Sequence, residues 1–209
     1  SEQEVLLPTR YVPSGTQVDD RIRVFVYTDS EDRPVATTQT PLAVVGQFAF
    51  LEVVDVSEHG VFLDWGLDKD LFAPTNEQQD SLTIGDWRVF AVALDLATDR
   101  VMAASRLKDY LDLEPEDVKA GDAVELLVYG RTDIGTRVVV DGRYSGIVYD
   151  NETYAPMKLG DRLDGFVHLV RDDGKLDIRL FRTGKKGIDD AREVLLRALE
   201  EHGGFLPLH

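Results

Sequence analysis

The 209-residue chain contains no cysteine and no long apolar run. Without cysteine there can be no disulfide bond and no thiolate metal site, and this composition suits a reducing cytosol. A membrane-spanning helix needs about 18 consecutive apolar residues, and no apolar stretch of this chain approaches that length. No signal-peptide pattern precedes the first predicted strand. We therefore expect a cytoplasmic protein that does not bind a membrane.

Positive charge is scarce as well. The chain has 23 Lys and Arg residues against 39 Asp and Glu residues, so its net charge is −16. Because Lys and Arg neutralise phosphates in most nucleic-acid complexes, this balance is unfavourable for a strongly electrostatic nucleic-acid binder. Residues 114–182 hold ten of the 23 basic residues. These residues and the tail are therefore the best candidates for contacts with a polyanion.

Signatures of enzymes and of cofactor sites are also missing. The four histidines are scattered and show no metal-binding spacing: His59, His168, His202 and His209. The segment from Gly130 to Gly135 is not followed by Lys-Ser/Thr, so it is not a phosphate-binding loop. There is no Gly-x-Ser-x-Gly motif of a hydrolase. We expect no catalysis, no metal and no cofactor.

Residues 47–105 have the pattern of five short strands. The predicted strands are Phe48–Val56, Val61–Trp65, Leu71–Ala73, Trp87–Leu94 and Arg100–Ser105. These runs are rich in β-branched and aromatic residues, and Gly, Asp and Pro separate them. Such a small sheet must close on itself to remove its edges, which predicts a five-stranded OB-fold barrel. Phe90, Val92 and Leu94 are expected to face its core.

The same pattern occurs three times along the chain. Leu6-Leu7-Pro8-Thr9 matches Phe72-Ala73-Pro74-Thr75, and Gly135-Thr136-Arg137-Val138 matches Gly60-Val61-Phe62-Leu63. The first copy begins at its third strand, so residues 1–45 are predicted to form only the last three strands of a barrel. Exposed strand edges favour pairing with another chain, so we expect self-association through this first repeat.

Alternation in the first repeat divides one strand into two faces. Ile22, Val24 and Val26 share one face, and Arg23, Phe25 and Tyr27 share the other. Trp65, which precedes a turn glycine, is expected to pack at a barrel mouth or between repeats.

Residues 188–202 have the pattern of a helix. Apolar residues recur there at helical spacing: Ile188, Ala191, Val194, Leu195, Ala198 and Leu199. Asp189 and Asp190 favour the positive N-terminal end of a helix, and Gly203 can stop it. The apolar stripe needs a partner, and a neighbouring chain is one candidate for self-association.

The repeats resemble the S1 RNA-binding domain, and the whole arrangement is similar to the conserved virulence factor B family of bacterial RNA-binding proteins. The segments VLLPTRYVP, GQFAFLEVVDVSEHGVFLDWG and DLFAPTNEQ carry the likeness. The resemblance implies a mainly β chain of tandem five-stranded OB-fold barrels, the first incomplete, followed by a helix that starts a winged-helix domain. The implied domains are a partial barrel in 1–45, a barrel plus linker in 46–113, a third barrel in 114–182, and a linker plus first helix in 183–209.

The resemblance also implies RNA-binding positions. In the middle repeat the family's two aromatics, His, Asp and Arg correspond to His59, Phe62, Pro74, Asp95 and Arg100, so a proline replaces the histidine. In the third repeat the corresponding residues are Ile134, Arg137, Tyr149, Arg171 and Lys175. The candidate RNA-binding residues are His59, Phe62, Lys69, Arg88, Arg100, Arg137, Tyr149, Arg171 and Lys175.

Two functions of different classes follow from these features. The resemblance implies a non-catalytic protein that binds single-stranded RNA and regulates bacterial gene expression after transcription. The alternative is a protein-interaction scaffold that kept the barrels and lost the RNA contacts. The acidic middle repeat and Pro74 favour this alternative, and Phe62 can be either a stacking platform or a packing residue.

Overall fold

The computed structural model of the chain describes residues 4–29, 31, 33–153 and 156–181. The chain divides into two compact units, Ser1–Tyr110 and Leu111–His209. The strands of the first unit are β1 (Phe25–Thr28), β2 (Pro34–Thr37), β3 (Phe48–Ser57), β4 (Gly60–Asp64), β5 (Leu71–Pro74), β6 (Trp87–Asp95) and β7 (Arg100–Ala104). Those of the second unit are β8 (Ala123–Thr132), β9 (Gly135–Val140), β10 (Tyr144–Tyr149), β11 (Arg162–Val170) and β12 (Leu176–Arg179).

Strands β3 to β7 form the predicted five-stranded sheet of the middle repeat. Their order is β5-β4-β3-β6-β7 and every neighbouring pair is antiparallel. The end strands β5 and β7 pack side by side, which curls the sheet into a barrel-like form. Alternate residues such as Leu51, Leu63 and Phe90 point inward and are fully buried. Leu94 does not, contrary to the prediction, because it lies at the end of β6, where the hairpin leaves the core.

Strands β8 to β12 form a closed barrel in the order β10-β12-β11-β8-β9. A parallel ladder between β10 and β12 closes it, with Gly146 opposite Leu176 and Val148 opposite Ile178. The inward-facing residues of all five strands make one apolar core. The mainly β architecture with two five-stranded, barrel-like sheets is therefore as predicted.

Equivalent glycines begin the second strand of each five-stranded sheet. Gly60 begins β4 and Gly135 begins β9, and the two occupy matching places in the repeats. A side-chain carbon on Gly60 would overlap the carbonyl oxygen of Ala73, and one on Gly135 would overlap that of Val148. The neighbouring third strand passes too close for any side chain at these positions, which explains why glycine occurs in both repeats.

Replacing Gly135 with alanine is expected to lower the free energy of unfolding by more than about 2 kcal/mol, because the backbone must shift to relieve the overlap. Gly130, in the same hairpin, is the matched control. A side-chain carbon there would make only ordinary contacts with the Arg137 side chain. Urea denaturation of both variants checks the prediction, and equal stability of the two would contradict it.

The first repeat forms only part of a barrel. Strands β1 and β2 pair antiparallel, and Leu6 makes an isolated parallel bridge to Val35. Phe25 and Tyr27 belong to the same apolar core as the middle repeat, whereas Val26 is exposed. The first two repeats therefore share one compact unit, and the predicted domain bounds stay predictions.

The predicted fold class needs one correction, which concerns its helical part. The described residues contain strands and short 3-10 helices but no α-helix, so a helix that starts a winged-helix domain is not supported. Residues 183–209, including the predicted helix 188–202, lie outside the described residues. In the described part of the chain, no helix has the length and apolar character to cross a membrane.

Candidate nucleic-acid interface

A groove of about 580 Å³ lies on the outer face of the middle repeat. Strands β4, β5 and β7 supply most of its surface, and Tyr27 and Thr28 at the end of β1 add to it. Because Tyr27 and Thr28 come from the first repeat, the groove is built from two repeats of the first unit. We call it the aromatic groove.

Two phenylalanines form the apolar floor of the aromatic groove. Phe62 on β4 lies directly opposite Phe72 on β5, and their ring centroids are 5.2 Å apart at 46°. Both rings are half-buried, since the alternating neighbours on each strand fill the core instead. An aromatic pair that is held in place and still accessible can stack on a planar ligand such as a nucleobase.

The predicted middle-repeat residues converge on this groove. His59, Phe62, Pro74, Asp95 and Arg100 all line it, although they come from different strands and turns. The side chain of His59 is exposed.

Asp95 and Arg100 lie opposite each other at the end of the β6–β7 hairpin. The hydroxyl of Thr98 donates to Asp95 at 2.6 Å, and this bond is the main reason that the pKa of Asp95 is lowered. Asp95 is therefore ionised at neutral pH, and it bears a negative charge beside Arg100.

Lys69 lies in the groove, but its ammonium group is already engaged. It donates to the carbonyl oxygens of Thr28 at 2.7 Å and Asp29 at 2.8 Å. These two bonds tie the end of β1 to the middle repeat, so Lys69 builds the groove wall. Arg88, also predicted as a contact, is not among the groove residues, and its guanidinium donates to the carbonyl oxygen of Trp87.

Several groove residues were missed by sequence reasoning, among them the following three. Phe72, Asp70 and Tyr27 line the groove beside the predicted residues. The available signal was alternation on β5, where Leu71 and Ala73 face inward and Asp70, Phe72 and Pro74 therefore face outward. Tyr27 had no such signal, because its position depends on packing between repeats.

The predicted third-repeat residues share the outer face of β9, β10 and β12. Arg137 lies opposite Ile147, and Ile147 lies opposite Asp177. The side chain of Arg137 is exposed and makes no hydrogen bond or ion pair with any residue of the described ranges. The hydroxyl of Tyr149 donates to Asp177 at 3.1 Å. Arg137 is therefore the cation of this face that is best placed to meet a phosphate.

The other two predicted cations of this face are paired with acids. Asp173 accepts from the guanidinium of Arg171 at 3.0 Å and from the ammonium of Lys175 at 3.0 Å. The bond from Lys175 is the main cause that lowers the pKa of Asp173. The negative charge of Asp173 is in turn the main cause that raises the pKa of Arg171. These pairs reduce the positive field that the basic composition of residues 114–182 predicted. Among the described residues there is no cluster of His, Asp and Glu arranged to hold a metal.

Known proteins and protein families are similar in sequence to part or nearly all of this chain. The S1 domain family matches residues 1–39. The uncharacterised protein YitL of Bacillus subtilis (strain 168) is 25% identical over 218 residues, which cover 99% of this chain and 72% of YitL. Conserved virulence factor B of Staphylococcus aureus (strain USA300) is 20% identical over 198 residues, covering 91% of this chain and 66% of that protein.

A solved structure also covers nearly the whole chain. It is a multidomain protein with nucleic acid binding domains from Streptococcus pneumoniae TIGR4. The sequences are 24% identical, and the TM-score is 0.47. The match covers 99% of this chain and 75% of the other.

Proposed function

Because the chain belongs to the conserved virulence factor B family, with its S1 domains, we propose that it is a nucleic-acid-binding protein whose ligand is single-stranded RNA. The observation that carries this proposal is the aromatic groove, in which Phe62 and Phe72 lie side by side with His59 and Arg100 nearby. Bases of a single strand are free to stack on such a floor. In a duplex the bases are paired and stacked on each other, so the groove favours single strands.

The proposed binding is non-catalytic, cytoplasmic and regulatory. By its family, the protein would act after transcription on bacterial messages, and sequencing of RNA crosslinked to it in cells tests this role. Self-association through the first repeat also stays a prediction, which sedimentation of the purified chain tests.

Binding of labelled RNA tests the proposed function directly. U-rich and A-rich single strands and a duplex of the same length are titrated with the protein at two salt concentrations. We expect binding of the single strands and little binding of the duplex. The salt dependence should be shallow, because few cations line the groove and stacking is less sensitive to salt than phosphate contacts are. Absence of any binding at low salt would overturn the proposal.

Arg137 is expected to contribute one phosphate contact on the third barrel. Replacing it with alanine should lower the slope of log affinity against log salt by about 1, because one cation no longer displaces counterions. Arg143 is the matched control, since its guanidinium is already bound to Asp112 and Asp117. An unchanged slope for the Arg137 variant would show that RNA does not reach this face.

The second candidate function is a protein-interaction scaffold. The ion pairs of Arg171 and Lys175 with Asp173, together with the net charge of −16, favour it. A scaffold of this kind would retain basic protein partners and would not retard RNA. Pull-down from a lysate, combined with the RNA titration at low salt, distinguishes the two functions.

A further inference from the structure

Asp70 is a carboxylate in the aromatic groove to which no contact has yet been assigned. It faces outward in the same row as Phe72 and Pro74. Its side chain is exposed, and it makes no hydrogen bond or ion pair with any residue of the described ranges. A carboxylate beside a stacking platform is unexpected in a site for a polyanion, since it repels phosphate.

The neighbouring carboxylates differ from that of Asp70 because each accepts a hydrogen bond from a backbone N–H. Asp64 accepts from the N–H of Gly66 at 2.9 Å, and Asp55 accepts from the N–H of Val56 at 2.8 Å. Although Asp70 is exposed, loss of some hydrating water to the surrounding groove atoms is the main cause that raises its pKa, and the charges of Asp64 and Asp55 raise the pKa further. Asp70 therefore has free acceptor capacity, and a hydrogen-bond donor on a ligand would relieve an unfavourable environment.

Asp70 is close enough to Phe72 to reach a base that is stacked on the Phe72 ring. Residues two apart on one face of a strand are separated by about 7 Å. A base that lies on the ring of Phe72 can therefore point its hydrogen-bonding edge at Asp70. His59 lies at the other end of this row, because its carbonyl oxygen accepts from the N–H of Thr75. Phosphates can thus lie near His59 and away from the carboxylate.

We propose that Asp70 selects the base bound in the aromatic groove and that the preferred base is guanine. This inference rests on the proposed RNA binding, since it concerns the same groove. A carboxylate can only accept hydrogen bonds. Guanine presents two adjacent donors, N1–H and the N2 amino group, which match the two oxygens of one carboxylate. Uracil presents one donor between two carbonyl oxygens, which the carboxylate repels.

Three heptanucleotides that differ only at the central base test the proposal. The central base is guanine, hypoxanthine or uracil, with uridine on both sides, and fluorescence anisotropy reports binding. A bidentate contact predicts that the guanine heptamer binds about 5- to 150-fold more tightly than the uracil heptamer. Hypoxanthine, which lacks the N2 amino group, should bind with intermediate affinity.

The variant Asp70→Asn should lose this preference and should bind the uracil heptamer more tightly than the wild type does, because a negative charge is removed. Asp64→Asn is the matched control: it makes the same change of charge and should keep the guanine preference. Equal wild-type affinity for all three heptamers would overturn the role of Asp70 and leave the proposed RNA binding intact. A guanine preference that persists in Asp70→Asn would also overturn it, and failure of every heptamer to bind would overturn both proposals.

Discussion

Replacing Phe62 and Phe72 together with alanine is expected to lower the affinity for single-stranded RNA by at least about 30-fold. Stacking of one base on an aromatic side chain contributes about 1–3 kcal/mol, so loss of both rings removes about 2 kcal/mol or more. The two rings are neighbours across the β4–β5 ladder, and they are the accessible aromatic floor of the groove. Anisotropy titration of a labelled heptamer at low salt measures the loss.

A second aromatic pair in the same barrel provides the control. Phe50 and Trp87 have ring centroids 5.2 Å apart, as Phe62 and Phe72 do, but they lie outside the groove. Their double alanine variant should keep the wild-type affinity. Leucine at 62 and 72 preserves apolar packing without a stacking face, so this folded variant should also bind weakly. Wild-type affinity in the leucine variant would refute the stacking role.

Replacing Trp65 with alanine is expected to lower the free energy of unfolding by about 3–5 kcal/mol. Trp65 is only 3% exposed and packs edge-on against Phe25, with ring centroids 5.9 Å apart. Its indole N–H donates to the carbonyl oxygen of Lys69 at 2.6 Å. The substitution therefore removes a core side chain and one of the contacts that join the first repeat to the middle repeat.

Trp87, the other tryptophan of the chain, is the matched control because it is 44% exposed. Its replacement by alanine should cost less than about 1 kcal/mol. Urea denaturation, followed by the fluorescence of whichever tryptophan remains and by circular dichroism, compares the two variants. If both lost the same small amount of stability, Trp65 would not anchor the first repeat.

The candidate site was only partly predictable from the sequence. Resemblance to the S1 domain identified Phe62 and Arg100, which the structure brings to one groove. It did not identify Phe72, because the partner of a residue across a ladder depends on register. Lys69 was a further candidate from the sequence, and the structure shows that its ammonium binds backbone carbonyls of residues about forty positions earlier in the chain. Such long-range partners leave no local pattern.

The first repeat shows which structural features the local sequence predicts and which depend on tertiary packing. The sequence alone predicts that the residues of β1 alternate between two faces, since side chains of a strand point to opposite faces in turn. The sequence alone does not predict which of the two faces is buried. Val24 and Val26 share one face and are exposed, while Phe25 and Tyr27 share the other face and pack into the core that contains Trp65. The succession of strands along the chain, the repeats and the turns follow from local patterns in the sequence. The buried face of β1, the wall of the aromatic groove and the pairing of charged side chains depend instead on which distant residues meet in the folded chain.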